Sequence, residues 1–194
     1  ALTGGERLAD GTFSKGARNH WLLPLVKLAI ETAMRRGELL SLSWEHVDLV
    51  RQTAHLPDTK NGDPRTVPLS TRAVAILKAL PTPEADEDFE GEKEVQRSGA
   101  VFPTTALALR KGFARAIERA QEQYRADCKQ AKRRPVPGFL EDVHFHDTRH
   151  EAASRLAEKL TNVLELSAVT GHKDLRMLKR YYHPRAEDLA KKLG

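Results

Sequence analysis

The sequence predicts a mainly α-helical fold with one small antiparallel β-sheet (α+β). Apolar residues recur at helical spacing in residues 21–34 and again in residues 109–124, which predicts two long helices. Residues 53–57 and 66–69 predict two short strands on either side of Asn61-Gly62, a dipeptide that favours a tight hairpin turn. Helices therefore dominate, and a single hairpin supplies the predicted sheet.

The remaining elements follow in order along the chain. Residues 37–44 predict a second, short helix, and residues 71–80 predict a third helix that Pro81 ends. Residues 81–98 are acidic, contain two prolines and lack periodicity, so they predict a surface loop. The basic, proline-rich residues 129–138 predict another loop. Three or four closely spaced helices are expected after it, at about 147–159, 162–170, 174–182 and 186–192.

Composition excludes several classes of protein. No run of about 18 apolar residues exists, so no membrane-spanning helix is predicted, and the chain does not open with a signal peptide. Cys128 is the only cysteine, which excludes an internal disulfide and favours a reduced, cytoplasmic setting.

The charge distribution points to a polyanionic partner. The net charge is +5, but residues 84–94 alone contain seven carboxylates and one lysine. The rest of the chain has 31 basic and 20 acidic residues, a net charge of +11. Such an excess attracts nucleic acid, although a solvated basic surface would give the same count.

Four segments carry residue types that suit chemistry on a phosphate. In chain order they contain Arg35 with Gly37-Glu38, Lys60 in the hairpin turn, His146 with Arg149-His150, and Gly171-His172 followed by Tyr181-Tyr182-His183. Taken singly, each has an ordinary structural explanation as a surface ion pair, a solvated lysine or a packing tyrosine.

Together, and in this order, the segments resemble the tyrosine recombinase (phage integrase) family over about residues 20–185. The resemblance assigns one residue to each of the family's catalytic positions: Arg35, Lys60, His146, Arg149, His172 and Tyr181. Four positions depart from the family's usual residues: Ala33 replaces Gly, Thr148 replaces Leu, Glu151 replaces Thr, and Thr170 replaces Leu.

The resemblance implies the fold of a tyrosine recombinase catalytic domain over residues 1–194, with an acidic surface loop at about 84–94 and no N-terminal core-binding domain. It implies a site-specific recombinase or integrase, encoded by a bacterium or phage, that acts on double-stranded DNA without metal, cofactor or ATP. It also implies a homotetramer in the synaptic complex and a monomer when the chain is alone.

The residue types fit this chemistry on their own terms. In-line attack on a phosphodiester builds negative charge on its oxygens, which Arg35 and Arg149 can bind with paired hydrogen bonds and His172 with another. A tyrosine phenol has a reference pKa of about 10, so Tyr181 needs a base, and His146 is the candidate. Lys60 is the candidate acid for the leaving 5′ oxygen.

Three other functions stay open from the residues. The first is a metal-dependent hydrolase, because residues 144–150 contain three histidines and an aspartate and superficially resemble a zinc cluster. Arg149, however, would place a positive charge beside the metal. A catalytically degenerate DNA-binding relative would lack some of the reactive positions, and all six are filled. A type IB topoisomerase would share the chemistry but relax supercoils instead of exchanging strands.

Overall fold

The computed structural model describes residues 19–58, 63–81, 97–182 and 186–194. The helices are α1 (Leu22–Thr32), α2 (Arg36–Leu40), α3 (Thr71–Lys78), α4 (Ala106–Gln130), α5 (Asp147–Lys159), α6 (Val163–Thr170) and α7 (Ala186–Leu193). The strands are β1 (Val47–Asp48), β2 (Thr53–Leu56) and β3 (Arg65–Pro68), and two 3₁₀ segments span Trp44–His46 and Leu175–Tyr181. The predicted fold class, mainly α with a small antiparallel sheet, is confirmed.

The structure differs from the sequence prediction at four elements. The second helix stops at Leu40, and the chain continues as a 3₁₀ turn into β1, a strand too short to leave an alternating pattern. Helix α4 runs on to Gln130, beyond the apolar periodicity that predicted it. The segment Leu175–Tyr181 is 3₁₀ and not α-helical, with hydrogen bonds between residues three apart such as Tyr182 N–H to the Lys179 carbonyl.

The sheet is antiparallel in the order β1-β2-β3. Ala54 pairs with Val47 on one side and with Val67 on the other. Ala54, Leu56 and Val67 are buried, so one face of the hairpin packs on the core, as alternation along a half-buried strand requires. The turn of the hairpin, with Lys60, and the predicted acidic loop at 84–94 lie outside the described residues.

Helix α1 is the centre of the core. Leu22, Leu25 and Leu28 are fully buried, and the helix packs against α3 and α5. Apolar side chains from the sheet and from α2, α3 and α4 complete this core. A second, smaller cluster of Ala157, Leu166 and Leu178 joins α5, α6 and the Leu175–Tyr181 segment.

The end of α1 sets the direction of the chain toward α2. Ala33 closes the helix in the left-handed conformation with φ 53°, at the position where the resembled family usually has glycine. A residue with a Cβ pays about 1 kcal/mol for that conformation. After this turn the backbone of Arg35, the residue that precedes α2, is extended. Its side chain therefore does not have to follow the surface of α2.

Within the described residues, no helix has the length and apolar content that crossing a bilayer would require. The apolar side of α7 is not covered throughout, since Leu193 is 88% exposed.

Two leucines on α4 provide a test of the core. Leu109 is 0% exposed and Leu107 is 52% exposed on the same helix. Leu109→Ala should lower the free energy of unfolding by about 2–5 kcal/mol, because it removes buried methyl groups and leaves a cavity. Leu107→Ala should change it by less than about 0.5 kcal/mol in the same chemical denaturation experiment. Equal losses would show that α4 does not pack through this face.

Candidate active site

The two predicted arginines meet at the turn that follows α6. Arg149, in the first turn of α5, donates through Nη1 to the Ala33 carbonyl and through Nη2 to the Thr170 carbonyl at 2.7 Å. Arg35 donates through Nη2 to the Gly171 carbonyl at 3.0 Å. Backbone oxygens from α1 and from the end of α6 therefore fix both guanidinium groups in orientation before any ligand arrives.

Arg149 is a buried cation. Its residue exposure is 5%, and its partners among the described atoms are carbonyls and the His172 ring, with no carboxylate in contact. Burial, followed by repulsion from Arg35, lowers the pKa of Arg149 to about 10. The group stays charged at neutral pH, and a buried charge of this kind favours an anion beside it.

Glu38 is the counter-charge that holds the first arginine. Its carboxylate accepts from the Arg35 backbone N–H at 2.7 Å and from Arg35 Nη1 at 2.9 Å. Arg65 donates to the same carboxylate through both terminal nitrogens, at 2.7 and 2.8 Å. Burial by itself raises the pKa of Glu38, but the hydrogen bonds from Arg65 and Arg35 outweigh it and lower the pKa to about 2.

Arg65 connects the hairpin to the third motif. It is the first residue of β3, and its guanidinium lies against Gly171. A Cβ on Gly171 would stand 2.7 Å from Arg65 Nη1, and Gly171 also has φ +69°. Both the close approach and the left-handed backbone require glycine here. Asp63 and Lys173 add an ion pair of 2.5 Å between the same two segments.

Tyr181 lies against the second histidine of the His-x-x-Arg-His motif. Its hydroxyl is 2.6 Å from His150 Nδ1. The His146 ring is perpendicular to the His150 ring with 5.3 Å between centroids, and no hydrogen bond joins it to the phenol. The expectation that His146 faces Tyr181 is therefore not met in this structure. His146 precedes α5, whereas His150 stands one turn into the helix, toward the Leu175–Tyr181 segment.

The neighbouring tyrosine is engaged elsewhere. Tyr182 donates its hydroxyl to the Leu160 carbonyl at 2.7 Å, with the Asn162 carbonyl at 3.1 Å. Burial, and then the charge of Glu165, raises the pKa of Tyr182. Of these two adjacent hydroxyls, that of Tyr181 faces the histidines and that of Tyr182 ties the segment to the end of α5.

Two histidines of the site are held toward the neutral form. Burial, then the positive charges of Arg149 and Arg35, lowers the pKa of His172 to about 4. Burial, then His150 and Arg149, lowers the pKa of His146. In the described part of the chain, no three His, Cys, Asp or Glu side chains converge in a group that could hold a metal ion.

The structure brings together five of the six predicted site residues, and the sixth, Lys60, lies outside the described residues. The five are Arg35, His146, Arg149, His172 and Tyr181. Sequence reasoning gave no role to Glu38, Arg65 or His150. Glu38 and His150 belong to the motifs already quoted, and their spacing from Arg35 and Arg149 was the available signal.

Comparisons with known proteins identify one family and several similar sequences. The phage integrase family matches residues 9–188. A shufflon-specific DNA recombinase of Escherichia coli is 43% identical over 177 residues, which are 91% of this chain and 38% of that protein. The integrase of Salmonella phage P22 is 25% identical over 164 residues, 84% of this chain and 39% of that protein. The chain thus spans well under half the length of these two relatives.

Solved structures share the fold. The catalytic domain of bacteriophage HP1 integrase aligns with a TM-score of 0.53 at 22% identity, covering 91% of this chain and 83% of that one. The Tn1549 transposon integrase, in complex with a circular intermediate DNA, aligns with a TM-score of 0.60 at 16% identity, covering 88% and 57%. At these identities the likeness establishes the architecture.

The low pKa of Glu38 predicts a specific pH dependence of stability. Its folded pKa of about 2 is below the ordinary value of 4.5, so its contribution is complete above pH 4.5 and is lost as pH falls toward 2. At neutral pH, Glu38→Gln should cost about 3 kcal/mol of unfolding free energy. The difference between wild type and variant should shrink between these two pH values in urea titrations.

The exposed Glu118 on α4 provides the control. Glu118→Gln should change the unfolding free energy by less than about 0.5 kcal/mol at neutral pH. A Glu38→Gln penalty that stayed constant down to pH 2 would show that shape, and not charge, is what Glu38 contributes.

Proposed function

The chain belongs to the phage integrase family, and from that premise we propose that it is the catalytic domain of a site-specific DNA recombinase. It would cleave and rejoin strands through a covalent bond between a DNA 3′-phosphate and Tyr181. The observation that carries the proposal is the Tyr181 hydroxyl, bonded to His150 close to a pair of prearranged arginines. The relatives named above are recombinases and integrases, not topoisomerases.

The first step is the binding of one phosphodiester group. Arg35 and Arg149 each direct cationic nitrogens toward the same turn. Carbonyl oxygens hold Arg149 there without neutralising it, whereas Arg35 shares the Glu38 carboxylate with Arg65. Preorganised donors stabilise a transition state most when they need no rearrangement, and each such donor is worth roughly 3–4 kcal/mol. Glu38 orients Arg35 from the opposite side.

The second step is attack by the phenol. The Tyr181 O–H proton passes to His150 Nδ1 as the phenolic oxygen forms its bond to phosphorus. The bond from phosphorus to the 5′ oxygen breaks, and that oxygen takes a proton from Lys60, the acid that the family resemblance assigns. The products are a 3′-phosphotyrosine link and a free 5′ hydroxyl. Attack by a 5′ hydroxyl of another strand reverses these steps, so joining needs no ATP.

The proposed partner is double-stranded DNA, bound in the bacterial cytoplasm. Outside the acidic residues 84–94, the chain has a net charge of +11, which favours the binding of a polyanion. A homotetramer in the synapse and a monomer alone are part of the same proposal. The affinity of this domain for DNA should fall steeply with salt, because cationic side chains that bind phosphates displace counterions.

Adjacent tyrosines make a matched test of the nucleophile. A pool of randomised DNA duplexes with a nick near the centre is incubated with protein in EDTA, and adducts that survive boiling in detergent are isolated and sequenced. Wild type and Tyr182→Phe should form the adduct, because the Tyr182 hydroxyl bonds only to backbone carbonyls of the described chain. Tyr181→Phe should form none, because it lacks the attacking oxygen.

An adduct with Tyr181→Phe that disappears in Tyr182→Phe would transfer the role to Tyr182. Absence of any detergent-resistant adduct between the wild-type chain and the duplex pool would contradict the proposed function. DNA binding measured by fluorescence anisotropy should be nearly equal for all three proteins, because neither hydroxyl is a cation.

His150 lies in α5 and His146 precedes the helix, and we expect their substitution to slow adduct formation to different extents. His150→Gln should slow adduct formation by roughly a hundredfold at neutral pH, because the phenol loses its proton acceptor. The loss should shrink at higher pH, where hydroxide removes the proton. His146→Gln should slow the reaction less, because its ring reaches the phenol only through His150. A larger and pH-dependent loss in His146→Gln would return the acceptor role to His146.

A further inference from the structure

Thr170 occupies an unusual place beside the site. It is the last residue of α6, is 0% exposed, and stands two residues before His172. Its hydroxyl oxygen is 2.7 Å from the Leu166 carbonyl oxygen and 2.7 Å from His172 Nδ1. The family that the sequence resembles usually has leucine here, which could make neither contact.

These two distances determine where the protons are. Contacts of 2.7 Å between such atoms are hydrogen-bond distances, so each needs a proton between the atoms. The Leu166 carbonyl has none, so the Thr170 hydroxyl donates its single proton to that carbonyl. The proton in the second contact must then come from the ring, which means that His172 carries a proton on Nδ1 and donates it to Thr170.

The opposite side of the ring agrees with this assignment. His172 Nε2 is 3.4 Å from Arg149 Nη2, a long contact in which the arginine has only protons to offer. Nε2 therefore faces Arg149 as an acceptor. Burial and the neighbouring arginines lower the pKa of His172 to about 4, so the ring holds one proton at neutral pH. That proton is the one on Nδ1.

We propose that Thr170 is a positioning residue that fixes His172 in the Nδ1–H tautomer, with Nε2 directed at Arg149. The assignment of the tautomer stands on the geometry, and its catalytic consequence rests on the proposed function. In this form Nε2 has no proton to donate to a phosphate, in contrast to the donor role that the sequence predicts for His172, and it accepts from Arg149 Nη2 instead. If the ring takes a second proton from water when a phosphate binds, that proton goes to Nε2, and Thr170 still accepts from Nδ1.

The tautomer can be read directly in the full chain without DNA. Nitrogen-15 NMR of protein labelled at histidine distinguishes a protonated from an unprotonated ring nitrogen, and His172→Gln identifies the His172 signals. Wild type and Thr170→Ser should show protonated Nδ1 and unprotonated Nε2. Thr170→Val, which has nearly the same shape but no hydroxyl, should show protonated Nε2 as a major form.

Thr32 provides a matched control. Its buried hydroxyl donates to the Leu28 carbonyl at 2.7 Å, the same helical contact that Thr170 makes, but it accepts from the Met34 N–H at 3.3 Å where Thr170 meets His172. Thr32→Val should lose stability to a similar extent and leave the His172 tautomer unchanged. A change of tautomer in Thr32→Val would show that general loosening moves the ring, which would overturn the specific role of Thr170.

The same variants connect the tautomer to the reaction. Thr170→Val should form the DNA adduct roughly five- to tenfold more slowly, the equivalent of one hydrogen bond, and Thr170→Ser should restore most of the rate. The proposal would be overturned if wild-type His172 carried its proton on Nε2. It would also be overturned if Thr170→Val changed the tautomer but left the rate of adduct formation unchanged. A wild-type chain that forms no adduct would count against the proposed function, and the NMR result would then decide the tautomer by itself.

Discussion

The Glu38 carboxylate lies between two guanidinium groups, and three separate parts of the chain meet there. Arg35 comes from the junction of α1 and α2, Arg65 from the base of the hairpin, and Gly171 from the turn after α6 packs on Arg65. One buried negative charge thus holds two positive charges that would otherwise repel each other. If that carboxylate were absent, Arg35 and the hairpin would lose the contact that fixes their relative position.

The remaining positive charge of the site is left for a ligand. Glu38 satisfies Arg35 and Arg65, but Arg149 is held by carbonyl oxygens and by a neutral ring. Carbonyl dipoles orient a guanidinium without cancelling its charge. The arrangement therefore separates two tasks: a carboxylate fixes the scaffold on one side, and backbone oxygens aim a cation on the other. In the proposed function, a phosphodiester completes the charge balance that Arg149 leaves open.

Sequence reasoning recovered the fold class and most of the helices, because the periodicity of α1 and α4 and the Asn-Gly turn are local signals. It also located five residues that converge on the site. It did not find the partner of Tyr181, because the choice between His146 and His150 depends on how the Leu175–Tyr181 segment packs against α5. It did not find β1 or the contact of Arg65 with Glu38 either, since a two-residue strand has no pattern and an ion pair across 27 residues has no local trace.

The two adjacent tyrosines show that tertiary packing decides which partner each hydroxyl contacts. Tyr181 and Tyr182 are adjacent and identical, yet one hydroxyl meets an imidazole and the other meets two carbonyls. Tyr181 is the last residue of the 3₁₀ segment, whereas the backbone of Tyr182 is extended (φ −110°, ψ 112°), so the two side chains leave the chain in different directions. The end of the 3₁₀ segment between the two residues, which the sequence did not predict, is thus the local feature that leaves Tyr181, and not Tyr182, against His150 as the candidate nucleophile.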